Sequence, residues 1–193
     1  MAADSGIALV RHGETEWSRS GRHTGRTDIP LTDAGRDQAR AAAGLVRGLA
    51  PARVRVSPLG RARETLELLG LGLDPLVDPD LVEWDYGDYE GVTTAEIRET
   101  VPGWTVWSAP CPGGEAADQV AARVDRVIAA CRAEPGLTLV VAHGHVLRVL
   151  AARWLGLEPE GGRLFRLDTA TVSVLGWERE SPVVLSWNLR AAP

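Results

Sequence analysis

Five polar residues stand out by their type and by what precedes them. Arg11 and His12 follow the short apolar run at 6–10, and His143 follows another at 137–142. Arg61 comes after the alternating run at 53–56, and Glu83 after the weaker run at 76–77. Each position reads as the exit of a strand, and open parallel sheets bind ligands beyond the carboxyl ends of their strands. Gathered there, the five would suit phosphoryl transfer. Two Arg can clamp a phosphoryl group with paired charged hydrogen bonds. A neutral imidazole can attack phosphorus and carry the group covalently. A carboxyl group can protonate the leaving oxygen and later take a proton from water. Such transfer runs largely on positioning and charge, so Arg and a second His can serve without a metal. Gly13 and Gly144 would let the backbone approach a ligand closely. Ser57-Pro58 reads as a helix start, a cap hydroxyl before a first-turn Pro, whose positive end would favour an anion. Any one of these residues alone has a structural explanation; the joint placement carries the inference.

The elements that must position them alternate between strand and helix. After the opening strand, Thr32 can cap a helix to about residue 50, with a stripe of Ala39, Ala42, Ala43, Val46 and Leu49. Leu59, Ala62, Leu66 and Leu69 continue the helix after Ser57-Pro58. Residues 84–114 are rich in Gly and Pro, with a short helix near 94–99, and read as an excursion over the sheet edge. A helix over 115–132 presents Val120, Ala121, Val124, Val127, Ile128 and Cys131; the strand at 137–142 and a helix at 146–155 follow. Strand-like runs at 171–175 and 183–187 close the chain. The expected architecture is α/β: a three-layer sandwich, with a mostly parallel central sheet, helices on both faces and an antiparallel edge. Residues 1–193 are expected to form a single domain.

Composition bounds the partners. The 193 residues include 21 Arg and no Lys against 26 acidic residues, for a net charge of −5. That balance argues against broad nucleic-acid binding, which needs a basic face. No apolar run approaches the length of a membrane span. The first four residues lack the basic and apolar regions of a secretory signal. Two cysteines, Cys111 and Cys131, make neither a disulfide framework nor a metal cluster. A cytoplasmic protein without metal or cofactor is expected, and the apolar closing strands could supply a homodimer edge.

Arg11-His12-Gly13-Glu14-Thr15 resembles the signature of the histidine phosphatase superfamily, in its phosphoglycerate mutase-like branch. Residues 57–65 (SPLGRARET) resemble that family's second Arg motif, 81–91 (LVEWDYGDYEG) its acid motif, and 140–144 (VVAHG) its second His motif. The resemblance implies His12 as nucleophile, Arg11 and Arg61 as clamps, His143 as stabiliser of the transferring group, and Glu83 as proton donor and then base. It also implies Thr24 and Gly25 on a substrate loop, with Tyr86 and His145 as secondary contacts. Ser18 departs from the Asn of many mutases and looks like the branch with acid phosphatases and sedoheptulose-bisphosphatase-like members. Residues 84–122 hold one basic residue, Arg98, which suits hydrolysis of a small phosphorylated metabolite better than mutase chemistry. Arg19, Arg22, His23 and Arg26 are the cations available to a second phosphate. A non-catalytic binder of phosphorylated ligands is the other alternative. Trp104 and Trp107 either wall the pocket or pack the excursion. Protonated Glu83 and a charged second His would place the pH optimum below neutrality.

Overall fold

A computed structural model describes residues 5–191; the reading of the first four residues lies outside that range. Six strands form one sheet in the order β3-β2-β4-β1-β5-β6. They are β1 (Ser5–Arg11), β2 (Arg53–Val56), β3 (Pro75–Val77), β4 (Gly136–Ala142), β5 (Val172–Glu178) and β6 (Ser181–Leu189). The first four are mutually parallel, whereas β5 runs antiparallel to β1 and β6 to β5. The mixed α/β sandwich with an antiparallel edge is therefore as expected.

Helices cover both faces. The chief ones are α2 (Asp33–Gly48), α3 (Gly60–Leu69), α5 (Ala117–Ala133) and α6 (Gly144–Trp154), with two short helices, α1 (Glu16–Ser20) and α4 (Thr94–Thr100). Strand alternation divides the core. Ala8, Val10, Val54 and Val56 pack with the Ala-rich stripe of α2 and with Ala62, Leu66 and Leu69 of α3. Ile7, Leu9, Val140 and Ala142 pack with α5 and α6 on the opposite side. All six stripe residues expected on α5 are buried. Burial on both faces explains why β1 and β4 read as continuous apolar runs.

The excursion at 84–114 does more than cross an edge. Trp84, Tyr86, Ile97, Trp104, Val106 and Cys111 all enter the α5/α6 core.

Register fixes where the chain leaves the sheet. Arg11 lies opposite Ala142, and Val56 opposite both Val141 and Val77. The ladder then runs one step further: the amides of His12, Ser57 and Asp78 donate to the carbonyls of Ala142, Val141 and Val56 at 2.9, 3.0 and 2.8 Å. Residues 12, 57, 78 and 143 thus leave the sheet side by side.

The helix after β2 starts later than expected. Leu59 is its N-cap residue and supplies no side-chain bond. The cap comes from Asp28, whose carboxylate accepts from the Gly60 amide at 2.6 Å and the Arg61 amide at 3.4 Å. That helix end already holds a carboxylate, so the anion-binding role expected of it is corrected. Ser57 Oγ takes only a long contact from the Leu59 amide, at 3.4 Å, ahead of the helix.

Candidate active site

Above the strand exits lies a cavity of about 250 Å³ lined by Arg11, His12, Ser18, Arg22, His23, Thr24, Glu83, Tyr86, Gly144, His145 and Arg148, among others. Of the expected site residues, it brings together Arg11, His12, Ser18, Thr24, Glu83, Tyr86, Gly144 and His145. Gly13, Gly25, Arg61 and His143 stand behind this wall.

His12 is 4% exposed. Its Nδ1 lies 2.8 Å from the Gly13 carbonyl, which can only accept, so Nδ1 carries the proton and Nε2 keeps the lone pair. Burial, then the charges of Arg61 and Arg11, hold its pKa well below the usual histidine value. The ring is therefore neutral around neutral pH.

Glu83 is equally buried. Its Oε1 accepts from the amides of Trp84 and Val146, both at 2.8 Å, and its Oε2 from the amide of His145 at 2.9 Å. Two of those amides belong to the first turn of α6. Oε2 has one donor and so keeps a lone-pair site for a proton.

Arg11 donates from Nη1 to the Leu167 carbonyl at 2.6 Å, while its buried Nε has no partner among the described residues. An orphaned buried donor is costly unless an acceptor arrives. Gly144 lies beside this guanidinium, where a Cβ would meet Nε and Cζ of Arg11 at 3.4 Å, an ordinary van der Waals contact. The Gly at position 13 has a different reason. A Cβ on Gly13 would come within 2.3 Å of the Gly35 carbonyl oxygen, so it seats the loop on α2 rather than admitting a ligand.

Arg61 is buried and spends all five N–H groups on the protein. Nε donates to His143 Nδ1 at 3.1 Å; Nη1 to the Thr27 carbonyl at 2.8 Å and Asp28 Oδ1 at 3.4 Å; Nη2 to the carbonyls of Gly25 at 2.8 Å and Thr24 at 3.2 Å. His143 is fully buried, its ring centroid 5.1 Å from that of His12. Because Nδ1 accepts from Arg61, Nε2 donates to Ser57 Oγ at 2.7 Å. Burial and the charges of Arg61, His12 and Arg11 keep His143 neutral, which corrects the expected charged second His. Gly25 likewise serves the frame: its amide donates to Glu90 Oε1 at 2.9 Å and its carbonyl takes Arg61.

The other end of the cavity is aromatic and cationic. The Tyr86 hydroxyl and His145 Nδ1 are 2.5 Å apart. Burial raises the Tyr86 pKa and lowers that of His145, so the phenol donates and the imidazole is neutral. Arg148 lies over the Trp107 ring, 4.8 Å from its centroid, and donates from Nε to the Gly162 carbonyl at 3.0 Å. Sequence reasoning missed Arg148. The available signal was its position one helical turn beyond Gly144 and His145, on the same face. Of the four early cations proposed for a second phosphate, Arg22 and His23 line the cavity; Arg19 and Arg26 pair with Glu16 and Asp85. Trp104 and Trp107 stand one layer back, edge-on to His23 and His145 respectively. Ser18 reaches the cavity from α1, a helix that sequence reasoning did not identify, whose capping box pairs Ser18 with Thr15.

All four histidines are depressed, His23 to about 4. Between the folded and unfolded values the unfolded chain binds protons that the folded chain refuses. Stability is therefore fully present above about pH 6.5 and falls with pH below it. At pH 5, His23 alone lowers stability by about 2 kcal/mol, or roughly 4–8 °C in Tm. Melting curves at pH 7.5 and 5 should show at least that drop; a flat Tm would contradict the neutral-histidine core.

Among the described residues, no cluster of metal-ligating side chains occurs and no helix is long and apolar enough to cross a membrane. A family model described as the histidine phosphatase superfamily (branch 1) matches residues 7–190. The chain is 42% identical over 176 residues to an acid phosphatase of Mycobacterium tuberculosis, covering 89% of this chain and 86% of the relative. It is 39% identical over 184 residues to sedoheptulose 1,7-bisphosphatase of Saccharomyces cerevisiae, covering 77% and 67%. The solved structure of an open reading frame product from M. tuberculosis superposes with a TM-score of 0.94 at 39% identity, covering 98% of this chain and all of that one. The chain therefore belongs to the histidine phosphatase superfamily (branch 1), and its enzyme class is phosphoric monoester hydrolase.

Proposed function

We propose that the protein hydrolyses small phosphomonoesters through a phosphohistidine on Nε2 of His12. The observation that carries this reading is the Gly13 carbonyl on Nδ1, which commits the lone pair to Nε2 in a cavity shared with Arg11 and Glu83. In the first step the Nε2 pair attacks phosphorus, the ester P–O bond breaks, and the leaving oxygen takes a proton from Glu83. In the second, water attacks phosphorus while Glu83 takes its proton. The P–N bond breaks, Nε2 regains its pair, and orthophosphate leaves. Arg11 offers its unpaired Nε and its remaining N–H groups to the phosphoryl oxygens. Arg61 sets the field on His12 from behind the cavity wall, its N–H groups held by His143 and the loop at 24–28. His143 acts by holding Arg61 and packing against His12.

Hydrolysis is favoured over mutase transfer because residues 84–122 bring no cation to the cavity: the Arg98 Nε is bound to the Trp104 carbonyl at 2.8 Å. Arg22 and Arg148 lie on the cavity wall instead and suit a substrate with a second anionic group. Arg148→Gln is expected to raise KM for a sugar bisphosphate about tenfold more than KM for p-nitrophenyl phosphate, with kcat little changed. Equal rises for both would contradict the second-anion reading. The direct test of the reaction itself is release of orthophosphate from a panel of phosphorylated metabolites, with and without phosphoglycerate as an acceptor. Hydrolysis expects free phosphate throughout; phosphoryl transfer without release would contradict it.

A further inference from the structure

Glu83 sits on a segment gripped from both sides by one buried ion pair, Arg123 of α5 with Glu115. The contact is bidentate: Nε to Oε1 at 3.0 Å and Nη2 to Oε2 at 3.1 Å. The third nitrogen, Nη1, donates to the carbonyls of Asp80 at 2.7 Å and Val82 at 2.6 Å, just before Glu83. Glu115 takes the other side. Its Oε2 accepts from the Asp85 amide at 2.9 Å, its carbonyl from the Trp84 indole at 2.9 Å, and its amide donates to the Asp85 carbonyl at 2.9 Å. Both charged side chains are largely buried, at 7% and 16% exposure. The strand of chain around 114 lies so close that a Cβ on Gly114 would meet the Asp85 carbonyl oxygen at 2.3 Å.

A buried ion pair is weak evidence for stability, because desolvation offsets the attraction. This one spends its side-chain hydrogen bonds on the backbone at residues 80, 82 and 85, which flank a single carboxyl group. We infer that Arg123 and Glu115 are positioning residues that hold the Glu83 carboxyl group in line with the leaving oxygen. This rests on the reading of Glu83 as proton donor. Neither residue lines the cavity, so they act through the backbone rather than on substrate.

Proton donation matters most when the leaving oxygen is a poor leaving group. The test compares an alkyl ester, glycerol phosphate, with p-nitrophenyl phosphate, whose phenolate leaves without help. Arg123→Lys keeps the charge but loses the fork; Glu115→Gln keeps the shape but loses the charge. In both variants kcat on glycerol phosphate should fall at least about tenfold further than kcat on p-nitrophenyl phosphate. KM for both esters and inhibition by orthophosphate should stay within about twofold. Added to Glu83→Gln, either change should cost little more, because the group being positioned is already lost. Equal losses on the two esters, or none on either, would overturn the clamp. Glu83→Gln run alongside separates the failures. If it shows the ester selectivity and the clamp variants do not, the clamp is wrong and the acid assignment stands. If it shows none, the acid assignment is wrong and the clamp falls with it. Should Arg123→Lys melt below the assay temperature, Glu115→Gln decides alone.

Discussion

His12→Ala is expected to lower kcat/KM on any phosphomonoester by roughly ten-thousand-fold or more. The loss follows from what the imidazole supplies: a neutral nitrogen lone pair in the cavity that Arg11 and Glu83 also line. Without it, water would have to attack the ester directly in a site built for a ring nitrogen. The fold should survive, because His12 makes one side-chain hydrogen bond, to its own neighbour's carbonyl, and the strand beneath it is held by β4 and β5. A melting curve within a few degrees of the parent protein, together with background turnover, is the expected pair of results. Substantial residual turnover in a folded His12→Ala protein would remove the nucleophile from this account.

Glu83→Gln should show the second largest effect, a fall in kcat of about a hundred- to ten-thousand-fold on alkyl phosphates. Its size should depend on the leaving group, shrinking on p-nitrophenyl phosphate. The amide keeps an oxygen for Trp84 and Val146 but turns an NH2 toward the His145 amide, donor against donor. An unsatisfied buried amide costs about 1–3 kcal/mol, so a modest loss of Tm should accompany the loss of rate. The leaving-group dependence separates this defect from general damage. Equal falls on alkyl phosphates and on p-nitrophenyl phosphate would mean that another group donates the proton.

The sheet and the long helices were legible because their signals are local. Runs buried on both faces, the alternation at 53–56 and the α2 and α5 stripes each lie within one stretch of chain. Parallel order then dictated that residues 12, 57, 78 and 143 leave together. The misses involve partners far apart in sequence. Ser57 looks like a helix cap because Ser before Pro often is one; its hydroxyl instead receives His143, and Asp28 caps the helix from thirty-odd residues away. Gly13 looks like a ligand-approach glycine until Gly35 is found against it. Spacing identifies Arg61 and His143 as site residues. It does not show that their hydrogen bonds are spent on each other and on the loop at 24–28. Arg148 was readable from helix periodicity, yet which face of α6 meets the cavity depends on how α6 packs against the sheet.

In turnover, phosphorus should pass through a nitrogen of residue 12. Rapid alkaline quenching during turnover of a radiolabelled phosphomonoester, followed by peptide mapping, reads that step. The expected result is a single phosphoryl group on the peptide carrying His12, stable to base and lost in acid as a P–N bond is. No label under multiple-turnover conditions, or an acid-stable label on any other side chain, would rule out the covalent step on His12.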